Sequence, residues 1–141
     1  MVSSEVYEKP LEELTPHEVG MLGEQLTASF VESRMRCRVV DRNWRCEYGE
    51  ADIIAIDDVR NEHVFIEVKT RTSSRLDTSV MPELAVDAEK LARYERLVAA
   101  YQAGYAEPPR VRVDVAAVTL KPGRLASMHY KVDVFGQGRV S

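Results

Sequence analysis

The chain has 141 residues, 45% hydrophobic and 30% charged, which suits one folded domain and excludes a disordered chain. Its 19 basic and 23 acidic residues leave a net charge of −4, so it does not coat nucleic acid through bulk cationic charge, although a local basic face is allowed. No apolar run approaches the roughly 18 residues of a membrane span; the start, MVSSEVYEKPLEEL, is too acidic for a signal peptide, and the two cysteines, Cys37 and Cys46, make no disulfide framework, so a cytoplasmic chain without a membrane partner is expected.

Residues 1–14 are polar, carry Pro10 and show no sustained period, and read as a flexible N-terminal tail. Thr15-Pro16-His17-Glu18 then combines an N-cap oxygen, a proline at the first helical position and an acid three residues on, which predicts a helix from Thr15 to about Ser33. Arg38–Cys46 is a first strand, bent at Asp41-Arg42-Asn43; Ala51–Ile56 is a second and His63–Thr70 a third. Arg71–Pro82 has no period and reads as a long loop of the kind that is often functional. A second helix follows from about Leu84 to Ala103, on the spacing of Leu91, Tyr94, Val98 and Tyr101. Val111–Thr119 is a strand, Lys121-Pro122-Gly123-Arg124 a turn, and Met128–Val134 an edge strand. One domain over 15–135 is expected, with a disordered tail at 136–141. Helix, three strands, helix, two strands is an α/β pattern, and a meander crossed over into a mixed sheet fits it better than repeated βαβ units.

Several charges stand where hydrophobic periodicity expects none. In the third strand Glu67 and Lys69 share a face with Phe65, although both faces of that strand carry bulky apolar residues. Buried charges must be paired, solvated in a cleft or bound to a metal, so a salt bridge near a strand end competes with a functional site here. Asp52 opens the apolar run of the second strand, where a strand-start aspartate is the plain alternative; joined to Glu67 across a hairpin it makes a carboxylate pair that a cation would relieve. Glu50 falls on the same face. Glu24 lies outside the polar arc of the first helix (Glu18, Gln25, Ser29, Glu32), among small residues that allow close approach to a sheet. These are oxygen donors, and His17, His63 and His129 share no spacing with the cysteines, so the expected cofactor is Mg²⁺ or Mn²⁺ and not zinc. Carboxylates holding such an ion beside a lysine suit phosphodiester hydrolysis.

Gly49-Glu50-Ala51-Asp52-Ile53-Ile54-Ala55, followed by Phe65-Ile66-Glu67-Val68-Lys69-Thr70-Arg71, resembles the signature of the YraN-like bacterial family. Gly20, Gly23, Glu24, Arg42-Asn43-Trp44-Arg45, Lys90, Arg112-Val113-Asp114-Val115, His129 and Phe135 extend the resemblance over most of the chain. That family is similar to the PD-(D/E)xK nucleases and to Holliday junction resolvases. The resemblance implies a restriction-endonuclease-like αβββαβ core, a mixed central sheet flanked by helices. It implies Asp52 and Glu67 as metal-binding acids, Lys69 as the catalytic lysine beside them, and Glu24 as the first-helix acid. Glu50 belongs to the YraN-like pattern but not to the general superfamily core. Lys90 and Tyr94 resemble a Q-x-x-x-Y motif with lysine for glutamine, and an ordinary amphipathic edge explains them as well. Ala51 stands where a larger aliphatic residue is usual.

Arg42 and Arg45 in the first strand, with Arg71 and Arg75 after the third, are the expected nucleic-acid contacts, gripping phosphates without reading sequence. Trp44 reads better as a half-buried core residue than as a stacking wedge, and Arg112 with Asp114 as a structural ion pair. The expected function is therefore a metal-dependent endonuclease-like protein that acts on or binds DNA, branched DNA included, in repair or recombination. A non-catalytic nucleic-acid-binding module and a protein-interaction domain are the alternatives. The residues do not separate DNA from RNA, and the resemblance to resolvases implies a homodimer.

Overall fold

A computed structural model describes residues 5–73 and 87–136. It contains a short 3₁₀ turn at Leu11–Glu13, helices α1 (Pro16–Ser33) and α2 (Ala88–Gln102), and strands β1 (Arg38–Cys46), β2 (Gly49–Asp57), β3 (Glu62–Thr72), β4 (Val111–Lys121) and β5 (Leu125–Lys131). The strands form one sheet in the order β1-β2-β3-β4-β5. All neighbours run antiparallel except β3 and β4, which are parallel and lie on either side of α2 in sequence. This is the mixed sheet of a restriction-endonuclease-like αβββαβ core, with β5 added by a hairpin.

The two helices cover opposite faces, as strand alternation requires. Ile53, Ala55, Val64 and Ile66 pack with Val31 of α1, whereas Ile54 and Phe65 pack with Tyr94, Leu97, Val98 and Tyr101 of α2. Trp44 belongs to the α2 side, its ring 5.8 Å from that of Phe65 and 5.7 Å from that of Tyr101. It is the core residue that composition favours over a stacking wedge.

Local chemistry sets the ends of the elements. Thr15 and Glu18 form a reciprocal capping box, and Pro16 occupies the first turn of α1. The deepest line of α1 is Gly23, Thr27 and Val31, not the leucine stripe, because small residues let the helix backbone approach β3. A methyl group on Gly23 would collide with the side chain of Thr70. Asp87 is extended and its side chain accepts the Lys90 N–H, so α2 starts at Ala88; Leu84, where the sequence pattern opens the helix, lies outside the described residues. A register shift between Val39 and Asp41 and a positive φ at Asn43 make the expected bend in β1.

Several boundaries differ from the sequence pattern: β2, β3 and β4 run one to two residues beyond their expected ends, so Arg71 and Thr72 belong to β3 and not to the loop. Lys121 pairs directly with Leu125 across the Pro122–Arg124 turn, so β5 begins at Leu125 and ends at Lys131, three residues before Val134. Residues 5–14 are not a loose tail: Tyr7 is buried and donates its hydroxyl to Lys121 O at 2.8 Å, and Val6 N–H binds Arg124 O. An aromatic side chain with a carbonyl to meet outweighs the polar composition around it. Arg75, most of the expected 71–82 loop and the 137–141 end lie outside the described residues. No helix among the described residues is long and apolar enough to cross a membrane.

Candidate functional site

The ladder between β2 and β3 ends at Ile53 and Ile66, and the same register continued would set Asp52 opposite Glu67. There the backbone pairing gives way to a side chain: Asp52 Oδ2 accepts the Val68 N–H at 2.8 Å. Asp52 and Glu67 therefore share the α2 face where the strands part. A cleft of about 130 Å³ opens at that point, lined by Glu50, Asp52, Glu67, Lys69, Arg93 and Tyr94.

Glu67 is the centre of the charge in the cleft. Its side chain is 10% exposed, and its Oε1 lies 4.0 Å from Lys69 Nζ and 3.1 Å from an Arg93 guanidinium nitrogen. The same guanidinium rests over the Tyr94 ring, 4.7 Å from its centroid. Asp52 has a raised pKa: burial is the main cause, the Val68 N–H opposes it, and the charges of Glu67 and Glu50 add to it. Tyr94 is held protonated far above the usual phenol range by burial and by the Glu67 charge.

Glu24 arrives from the helix on the other face. The close approach at Gly23 brings it near enough to Asp52 and Glu50 for their charges, after burial, to raise its pKa, while Arg42 opposes the rise at 3.7 Å. Glu50 is half exposed and pairs with Arg45 at 3.0 Å. The four acids thus surround one end of the sheet, but among the described residues no group of three or more metal-type ligands is gathered closely enough to hold an ion. Of the four expected acids, Asp52, Glu67 and Glu50 line the cleft, and Glu24 and Glu50 each pair with an arginine. Like charges converging on one end of the sheet are relieved by the nearest cations. Two of the expected phosphate contacts, Arg42 and Arg45, are those cations. Arg71 directs its Nε–H to Thr119 Oγ1 at 3.2 Å.

Arg93 is the site residue that the sequence did not single out. The signal was present: Arg93 stands four residues before the fully buried Leu97, hence on the face that α2 turns to the sheet. Elsewhere, the expected Arg112–Asp114 pair exists at 3.1 Å, and Arg112 also binds Asp57 at 2.7 Å and Glu62 at 3.1 Å. His63 bonds Tyr101 through Nδ1 and takes no part in the acid cluster.

A mixed five-stranded sheet with a helix on each face is the arrangement of the restriction-endonuclease-like folds. A family described as "Uncharacterised protein family UPF0102" matches residues 23–118. A UPF0102 protein of Mycobacterium sp. (strain JLS) is 40% identical over 119 residues, covering 84% of each chain. One from Mycobacterium avium (strain 104) is 42% identical over 106 residues, 74% of this chain and 80% of that one. The chain belongs to the UPF0102 family, the YraN-like family that its central motifs resemble. Among solved structures, a repair endonuclease from Pyrococcus abyssi superimposes with a TM-score of 0.40 and 19% identity, over 67% of this chain and 37% of that one.

Proposed function

We propose that this protein is a divalent-metal-dependent endonuclease-like protein acting on DNA, branched DNA included. The observation that carries the reading is the meeting of Asp52, Glu67 and Lys69 in one polar cleft at the point where β2 and β3 separate.

The donor set fits a hard cation. Two carboxylates on adjacent strands, no histidine or thiol among them, and space for water in front are what Mg²⁺ or Mn²⁺ uses, since Mg²⁺ commonly takes one or two carboxylates and completes its shell with water and phosphate oxygens. Asp52 and Glu67 would hold the ion; Glu24 and Glu50 shape the field around them. When bound, such an ion polarises a phosphodiester and acidifies a water. Lys69, 45% exposed and beside Glu67, is placed to orient that water or to stabilise charge developing on the phosphate. Arg71, two residues on in the same strand, offers a cation for a backbone phosphate, and Arg42 and Arg45 can join it by exchanging their carboxylate partners for phosphates; Arg75, the fourth expected contact, lies outside the described residues.

The test is to incubate the full chain with linear, flapped and four-way DNA in Mg²⁺, Mn²⁺ or chelator. Metal-dependent cleavage that disappears in Glu67→Ala and Lys69→Ala is expected; no cleavage of any substrate overturns the catalytic reading. A second reading is a nucleic-acid-binding module without cleavage, favoured by the arginine already paired with Glu24 and with Glu50. Its mark is salt-sensitive binding that is indifferent to chelator. Homodimerisation belongs to the proposal too, and sedimentation measures it directly.

A further inference from the structure

Glu67, Asp52, Glu50 and Glu24 converge on one end of the sheet, and the cations around them are Lys69, Arg93, Arg45 and Arg42. Arg42 and Arg45 sit on the edge strand beside the outer acids. Lys69 is 4.0 Å from Glu67. Arg93 alone among these cations comes from α2, and it makes the close contact, 3.1 Å, on the Oε1 of an acid that is nearly buried.

We propose that Arg93 is a built-in counter-ion that holds Glu67 whenever no ion is bound and must yield that carboxylate to a divalent cation. The inference rests on the reading of Asp52 and Glu67 as the metal-binding pair. Three features support it. A carboxylate with a 10% exposed side chain next to a second acid needs a cation at all times, and the guanidinium supplies one before any ion arrives. Arg93 is able to leave, since 40% of its side chain is exposed. It also has somewhere to stay: the Tyr94 face, 4.7 Å away, gives the displaced guanidinium a resting place inside the cleft. Freed from Glu67, its planar fork faces the region where a phosphate would sit. A guanidinium with a purely architectural role would contribute to the site's shape and would not compete with an ion.

Competition has a sign that architecture does not. The free Mn²⁺ signal, followed by electron paramagnetic resonance during titration of the full chain without nucleic acid, gives affinity independently of cleavage. Arg93→Met is expected to bind Mn²⁺ roughly tenfold more tightly than the native chain, the size of effect that one neighbouring charge exerts on a carboxylate site. Arg93→Lys, which keeps the charge, should fall between them, and Glu67→Gln should lose the ion. Equal or weaker Mn²⁺ binding by a folded Arg93→Met chain, with Glu67→Gln still abolishing it, overturns the proposal and leaves the metal-site reading standing. If neither the native chain nor Arg93→Met takes up Mn²⁺, the metal site itself falls and the proposal with it. Should Arg93→Met fail to fold, Arg93→Gln carries the same expectation and the same refutation.

Discussion

At Gly23 a single missing methyl group sets how closely α1 lies on β3. A Cβ there would meet not one but three Thr70 side-chain atoms, all closer than 3.0 Å, so neither a rotamer change nor a small relaxation makes room. Gly23→Ala is expected to cost about 1–3 kcal/mol in urea unfolding, as overpacking of a tight contact does. It should also push Glu24 away from Asp52. Asp52 gives the opposite sign. Its folded-state pKa is raised above the usual carboxylate value, chiefly by burial, so protonation favours the folded chain and the favourable contribution is lost as pH rises through that raised pKa. Asp52→Asn keeps an oxygen for the Val68 N–H and removes the repulsion with Glu67 and Glu50. Its melting temperature at pH 7 should be a few degrees higher than that of the native chain, with the gap closing in acid. A lower melting temperature would show that the Asp52 charge is instead stabilised in the folded site.

At the scale of elements, the far end of the sheet is pinned by Arg112. This β4 residue is 3% exposed and joins Asp57 at the end of β2, Glu62 at the start of β3 and the fully buried Asp114 on its own strand. Tyr130 of β5 adds its hydroxyl to Asp114 at 2.6 Å. Arg112→Met would leave the buried Asp57 and Asp114 without their cation, with only neutral donors still bound to them, and a loss of about 3–5 kcal/mol is expected in chemical denaturation. The same network gives an acid limb to stability. Burial works against ionisation of Asp57, yet Arg112 and the N–H groups of Arg60 and Val59 outweigh it and hold the carboxyl below its usual range. Stability from Asp57 is therefore present above the unfolded value and is lost as pH falls through the folded one. Native and Arg112→Met chains should converge in melting temperature at low pH. β1 and β5 remain at the edges, and the bulge and positive φ in β1 bend one of them, a common protection against edge-to-edge pairing.

For the whole molecule, a net charge of −4 makes any grip on nucleic acid local, so binding should weaken steeply with salt while remaining confined to the basic side of the cleft. A divalent ion that binds the folded chain and not the unfolded one must raise the melting temperature. About 2.7 kcal/mol is expected at a hundredfold excess over Kd. Chelator, or Glu67→Gln, should remove that shift in a thermal melt, and an unchanged shift in Glu67→Gln would place the ion elsewhere. Much of this architecture was legible before any coordinates. Period-2 alternation in His63–Thr70 assigned Phe65, Glu67 and Lys69 to one face, the Thr15–Glu18 box started α1, and the spacing of Asp52 and Glu67 around one hairpin set both on the same side of the sheet. Alternation, capping and hairpin register are local in the chain, so the sequence by itself determined them. What tertiary structure decided is which distant charge answers which: Arg93 meeting Glu67 across 26 residues, Arg42 taking Glu24, Tyr7 reaching Lys121 across 114. Periodicity specifies the face on which a side chain lies, whereas its partner depends on how far two packed layers approach, and here that distance is set by the small residues Gly23 and Thr27 and by the depth of Tyr94 and Leu97.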